Sequence, residues 1–246
     1  MNELMKPAYV LLATAAIFAS AACNAEKGTS ANSNAPIEAV AAPNGGDWTK
    51  TVVETPEGGV LMGNPNADVK VVEYGSLTCP HCAEFAEKGA PQLIDKYVKT
   101  GRVSFEFRNF LRDGLDMSMS LVARCGGPER FFPLSEAMFK DQREFFERAQ
   151  AATPEQQQAA AASPAGFAQL AGLQQWAAQR GVPSAKSNAC LADQATMDKL
   201  VQVSSDVTSQ FPGFSGTPSF VINGKLLEQT SNWEKLEPQI REALGS

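Results

Sequence analysis

The chain has 246 residues, 43% of them apolar, and a formal net charge of −6. That is enough for one large domain, or a domain carrying a sizeable insertion, around an ordinary packed core. The mild acidity and the lack of any basic stripe exclude a nucleic-acid binder, because phosphate binding needs clustered Lys and Arg.

Residues 1–22 read as an export signal. Lys6 supplies a weakly positive start, and the apolar run Ala8–Ala22 is shorter than the roughly 20 residues of a membrane span. Ala19-Ser20-Ala21 suits signal cleavage. Export would place the five cysteines, Cys23, Cys79, Cys82, Cys125 and Cys190, in an oxidising compartment where pairs persist as disulfides. Cys23, after Ala21-Ala22, resembles a bacterial lipoprotein site, with Ser20 where such sites usually carry Leu. Lipidation and removal both stay open, so a lipid anchor is the one membrane attachment expected. Residues 23–47 are rich in Ala, Asn, Gly, Ser and Pro, and read as a flexible linker.

Trp48 opens the folded part. Thr51–Glu54 is expected as a first strand, followed by a loop punctuated by Gly and Pro. Val69–Tyr74, rich in β-branched residues, is a second strand. A helix then starts near Cys79, with Phe85, Leu93, Ile94, Tyr97 and Val98 on one face. Pro91 should kink it and Gly101 end it. Val103, Phe105 and Phe107 alternate with polar residues in the next strand. From 113 to 212 apolar residues recur at helical spacing between prolines, which predicts an all-helical block. After it Ser219–Ile222 is a strand, Asn223-Gly224 a tight hairpin turn, and Leu226-Leu227 the start of its partner. Ser231-x-x-Glu234 then caps a helix carrying Leu236, Ile240 and Leu244 on one face. The fold class is α/β, in the order βαβ, helical insertion, ββα. The two strand-bearing segments, 48–112 and 213–246, form one domain interrupted by the block at 113–212.

Cys79-Pro80-His81-Cys82 stands where a strand ends and a helix begins. Unpaired N–H groups and the macrodipole at a helix start favour a thiolate at Cys79. Protonated His81 would lower that pKa further, and Pro80 fits the first helical position without losing a hydrogen bond. Cys82, one turn on, is within reach for a disulfide. The outer cysteine would attack and the inner one resolve, as in thiol–disulfide exchange. Haem attachment would need His at position 83, which is Ala. A zinc site would need two more suitably spaced ligands, so no metal is expected.

VVEYGSLTCPHCAEF resembles the active-site segment of the DsbA-type disulfide oxidoreductases. Gly216–Gly224 (GTPSFVING) is similar to that family's second signature. The resemblance runs from about Val52 to Leu244 and implies a thioredoxin-like fold with an inserted helical subdomain. It implies that Cys79 is the nucleophile and Cys82 the resolving cysteine, and that Pro80 and His81 tune the redox potential. It also implies that Thr217 and a cis Pro218 lie over the disulfide and bind substrate backbone. Glu73 shares a strand face with Val69 and Val71. Buried there, its carboxyl would have a raised pKa and could take the proton of Cys82; an exposed Glu73 is the alternative. Cys125 and Cys190, at the two ends of the helical block, are expected to form a structural disulfide. Two buried thiols or a regulatory disulfide stay open.

The expected function is therefore oxidation of protein thiols in the periplasm, on newly exported substrates with free cysteines. A DsbB-like membrane partner would reoxidise the pair. The protein would act as a monomer with no organic cofactor. A reductase or isomerase of the same fold, and a peptide-binding chaperone, are the alternatives.

Overall fold

The computed structural model describes residues 37–245. The export signal, Cys23 and the linker up to residue 36 lie outside the described residues. Strands β1 (Val52–Glu54), β2 (Val60–Gly63), β3 (Val69–Gly75), β4 (Val103–Asn109), β5 (Ser219–Ile222) and β6 (Lys225–Leu226) make one sheet in the order β1-β2-β4-β3-β5-β6. β3 and β4 run parallel at its centre, and every other neighbouring pair is antiparallel. Helices α1 (Pro80–Lys88) and α2 (Ala90–Lys96) connect β3 to β4. Between β4 and β5 come α3 (Gly114–Arg124), α4 (Pro128–Lys140), α5 (Gln142–Ala151) and α6 (Pro154–Ala160). The same interval continues through α7 (Pro164–Leu170), α8 (Leu173–Gln179), α9 (Ser184–Leu191) and α10 (Gln194–Gln210). The last helix, α11, spans Trp233–Leu244. This is the order βαβ, helical insertion, ββα that the strand and helix signals predict, and the thioredoxin-like fold that the resemblance implies.

β3 reads as a β-branched run because it is buried on both faces. Val69, Val71, Phe105 and Phe220 pack against Phe85 of α1, Leu93 of α2, and Leu236 and Ile240 of α11. Val72, Tyr74 and Val221 on the opposite face meet Val203 and Val207 of α10. The inserted helices bury their own apolar faces around Met119, Phe131, Met138, Phe145 and Leu173. Cys125, at the end of α3, is joined to Cys190 of α9, with Cα atoms 5.8 Å apart.

Four local expectations differ from the structure. The Gly/Pro-punctuated loop after β1 contains β2, a short strand buried at every position, so it lacks the alternation that marks a half-exposed strand. The helix expected to kink at Pro91 is broken at Gly89, whose N–H closes α1 on the Phe85 carbonyl at 2.8 Å. Pro91 then lies in the first turn of α2, where its missing N–H costs nothing. The cap of α11 is Asn232, which accepts from the Lys235 N–H at 3.1 Å, rather than Ser231. The linker also docks before residue 47. The Val40 N–H donates to the Thr100 carbonyl, and the Val40 carbonyl accepts from the Trp48 indole at 2.8 Å. At the hairpin, Asn223 and Gly224 both take positive φ, as a two-residue turn with this twist requires.

Candidate functional site

β3 delivers the chain to the turn Ser76-Leu77-Thr78, and α1 begins at Pro80 with Cys79 as its N-cap residue. No side chain caps this helix start, so its N–H groups remain free to face the Cys79 sulfur. Cys79 and Cys82 are both unbridged thiols, 5% and 0% exposed. The strand after the helical block brings in the second signature. The Thr217–Pro218 bond is cis, and the Thr217 carbonyl accepts from the Cys79 thiol at 3.2 Å. Beside it runs a groove of about 360 Å³ lined by Gly216, Thr217, Pro218, Leu227, Gln229 and Lys235.

The two thiols have opposite electrostatics. The Cys79 pKa falls to about 5, foremost through a hydrogen bond with Cys82. Thr217 and the backbone N–H groups of Cys82 and His81 add to this, against a burial penalty. The His81 imidazole is 77% exposed and stands 4.0 Å from Glu84, turned outward along α1. The Cys82 thiol is pushed well above its usual value by burial, then by Cys79 and Glu73; its sulfur accepts the Ser76 N–H at 3.4 Å.

Glu73 is 3% exposed, flanked on its sheet face by Phe107 of β4 and Phe220 of β5. Burial, with Cys79 as a lesser cause, raises its pKa well above the carboxylate range. Gly75 beside it tolerates no side chain, because a Cβ there would sit 2.5 Å from the Phe107 ring and 3.0 Å from the Glu73 carboxyl.

Sequence reasoning missed the groups that hold the turn before Cys79. Asp116 of α3, fully buried, accepts from the Ser76 hydroxyl at 2.5 Å, the Leu77 N–H at 2.9 Å and the Arg112 N–H at 3.1 Å. Burial outweighs these donors and lifts its pKa to about 7. Gln142, the first residue of α5, donates to the carbonyls of Leu77 at 2.8 Å and Cys79 at 3.1 Å. Arg112 donates to the Thr78 carbonyl at 2.9 Å. Asp113, the cap of α3 three residues before Asp116, was the one local signal that could have marked this helix start; nothing near Gln142 singles it out. Among the described residues no cluster of His, Cys, Asp or Glu suits a metal ion, and no helix is long and apolar enough to cross a membrane.

A strand-to-helix dithiol facing a cis proline defines a thioredoxin-fold redox site. A family model described as thioredoxin matches residues 55–242. A protein-disulfide isomerase structure from Novosphingobium aromaticivorans is 34% identical, covers 76% of this chain and 97% of its own, and superposes with a TM-score of 0.70. The Wolbachia pipientis alpha-DsbA1 structure, at 23% identity and a TM-score of 0.62, covers 78% of this chain and 94% of its own and shares the fold. The putative protein-disulfide oxidoreductase of Rickettsia bellii is 29% identical over 184 residues, 75% of this chain and 63% of that protein. The chain thus spans less than two thirds of the length of that relative. The chain belongs to the thioredoxin family.

Proposed function

We propose that this protein is a thiol–disulfide oxidoreductase that introduces disulfides into exported proteins. The observation that carries the reading is the asymmetry of the two thiols, Cys79 held down to about 5 and Cys82 pushed up. A stable Cys79 thiolate favours the reduced form, so the disulfide form is a readily consumed oxidant.

In the oxidised form a substrate thiolate attacks the Cys79 sulfur. The Cys79–Cys82 bond breaks, and Cys82 leaves as a thiolate that takes a proton from the Glu73 carboxyl. A second substrate thiolate then attacks the substrate sulfur of the mixed disulfide; the substrate disulfide forms and Cys79 leaves as its thiolate. Two electrons have passed to the protein. Reoxidation runs the sequence backwards on the disulfide of a DsbB-like membrane partner, with Cys82 returning its proton to Glu73 before it attacks. Thr217 and Pro218 align the extended substrate segment, and Pro80 and His81 set the potential. The Cys125–Cys190 bridge is structural. The location is the periplasm, with Cys23 as the candidate lipid anchor.

The 34% identical structure is that of a protein named a protein-disulfide isomerase, which keeps isomerase activity as a second reading. Trapping separates the readings. A Cys82→Ser protein whose Cys79 has first been activated as a mixed disulfide with thionitrobenzoate should be captured by reduced, unfolded substrates, the substrate thiolate attacking the Cys79 sulfur and thionitrobenzoate leaving, and the mixed disulfide should persist without Cys82; the oxidised wild-type protein should oxidise those substrates stoichiometrically. Rearrangement of scrambled disulfides without net oxidation of reduced substrate would favour the isomerase. Suppressed aggregation that survives Cys79→Ser, with no oxidation by the wild type, would favour a chaperone.

A further inference from the structure

The loop that follows β4 is pinned by three successive backbone N–H groups. Phe110 donates to the Gly75 carbonyl at 2.7 Å, Leu111 to the Ser204 hydroxyl at 2.8 Å and Arg112 to the Asp116 carboxylate at 3.1 Å. The Arg112 side chain is fixed as well. Its Nη1 donates at 2.9 Å to the carbonyl of the peptide bond that joins Thr78 to Cys79. The residue is nevertheless exposed, and it forms no ion pair among the described residues. A guanidinium carries five N–H donors in a rigid fork, and the side chain gives only one of them to the protein. Asp113, the neighbouring carboxylate, is already engaged by the Asp116 N–H at 2.8 Å and the Thr78 hydroxyl at 3.4 Å. Strand register places this cation relative to the dithiol. At its end β3 pairs Gly75 with Asn109 of β4 on one side and Tyr74 with Ser219 of β5 on the other. Arg112 therefore stands on one flank of the turn that leads to Cys79, and Thr217 and Pro218 stand on the opposite flank. The groove on the Thr217 flank holds one side chain of each sign, Glu228 and Lys235. The Arg112 flank offers a free cationic fork.

We propose that Arg112 determines specificity, by taking the carboxylate of an acidic side chain next to the reacting cysteine of a partner polypeptide. The inference rests on the reading of Cys79 as the sulfur that exchanges with other proteins. A partner chain that lies along Thr217 and Pro218 with its sulfur on Cys79 brings the residues beside its cysteine to the Arg112 flank. The planar fork matches a carboxylate, which accepts two parallel N–H bonds from it. Because the loop and the side chain are held before the partner arrives, little side-chain freedom is lost on docking. A lysine beside the partner cysteine meets the same fork as a like charge and is disfavoured.

The test uses three cysteine peptides that differ only in the residues on either side of the cysteine, which are glutamate, glutamine or lysine. Each peptide is activated as a mixed disulfide with 2-thiopyridine. The Cys79 thiolate of the reduced protein attacks the peptide sulfur, the Cys79–peptide disulfide forms, and 2-thiopyridone leaves, taking its proton from solvent. Its absorbance gives the rate. Closure by Cys82, which releases the peptide as its thiol, follows. At low salt the parent should react about threefold faster with the glutamate peptide than with the glutamine peptide, the range of one exposed ion pair. The lysine peptide should be slowest. Arg112→Gln should bring the three rates together, and Arg112→Lys should keep part of the preference. Salt at about 1 M, where the Debye length is about 3 Å, should weaken it. The ratio of glutamate to glutamine rates is decisive, because a change in the Cys79 thiolate alone would alter all three rates alike. A parent with equal rates, or a preference that survives in Arg112→Gln, overturns the recognition and leaves exchange at Cys79 standing. If Cys79→Ser releases thiopyridone as fast as the parent, the reading of Cys79 fails and the recognition fails with it. Should Arg112→Gln not fold, the salt series on the parent decides, and a preference that salt does not weaken overturns the proposal.

Discussion

Glu73 and Cys82 are both sealed from solvent, at 3% and 0% exposure, and the Glu73 charge helps push the Cys82 thiol upward. Two groups that each resist ionisation in a shared dry environment can exchange one proton, because moving it between them creates no second buried charge.

Glu73→Gln keeps the size of the side chain and removes the titration. Positioned proton transfer contributes about 10²–10⁴-fold to a rate, so closure by Cys82 should slow by about a hundredfold near neutral pH. Attack by Cys79 should keep its rate. Stability should move the other way. A raised folded pKa gives stability that is full below the unfolded carboxylate value and is lost as pH rises through the folded value. Urea unfolding should therefore find Glu73→Gln more stable than the parent at neutral pH, with the difference shrinking toward pH 4.

The thiols should titrate far apart. Thiolate absorbance of the reduced protein should show one midpoint at about 5, which Cys79→Ser abolishes. Cys82 should contribute nothing below the ordinary thiol value of about 8.5. A lowered folded pKa gives stability that is present above the unfolded value and is lost as pH falls through the folded one. The reduced protein should thus gain on the oxidised one as pH rises from about 5 to about 8.5, by a few kcal/mol in all. Matched unfolding curves of the two forms across pH measure this.

Asp116 and Gln142 hold the turn that presents Cys79. Asp116→Asn turns an amide donor toward at least one of three existing donors, and Gln142→Leu strips the buried Leu77 carbonyl of its side-chain donor and leaves the Cys79 carbonyl with the Ala83 N–H alone. Each should cost about 1–3 kcal/mol in chemical denaturation. Each should also raise the Cys79 midpoint, because the N–H groups facing its sulfur lose their alignment.

The bridge between α3 and α9 spans a sequence separation of 65. Replacing both cysteines by Ala should cost about 4 kcal/mol on the chain-entropy account. The redox activity of Cys79–Cys82 should persist in the folded fraction. Thermal unfolding with and without a reductant checks the loss.

The placement of the dithiol at a strand end and a helix start was legible from local pattern, as was the strand face that buries Glu73, whereas the cis Thr217–Pro218 bond was legible only through the family resemblance. Strand β3 was legible because its β-branched run is continuous. Asp116 and Gln142 were not. Each is an ordinary helix residue by pattern, and it acquires its role only when α3 and α5 fold back on a turn tens of residues earlier. Strand β2 escaped for a related reason, since complete burial removes the alternation that identifies a strand. The position of the His81 imidazole was also invisible, because sequence adjacency to Cys79 does not say which way a side chain points from a helix start.

The proposed function requires the Cys79–Cys82 pair to be an oxidant. Equilibrating the protein with defined mixtures of reduced and oxidised glutathione, and quantifying the Cys79–Cys82 disulfide after acid quenching, tests it most directly. The expected potential lies above about −180 mV, toward the about −120 mV of strongly oxidising pairs. A value near the about −270 mV of a reducing thioredoxin pair would contradict it.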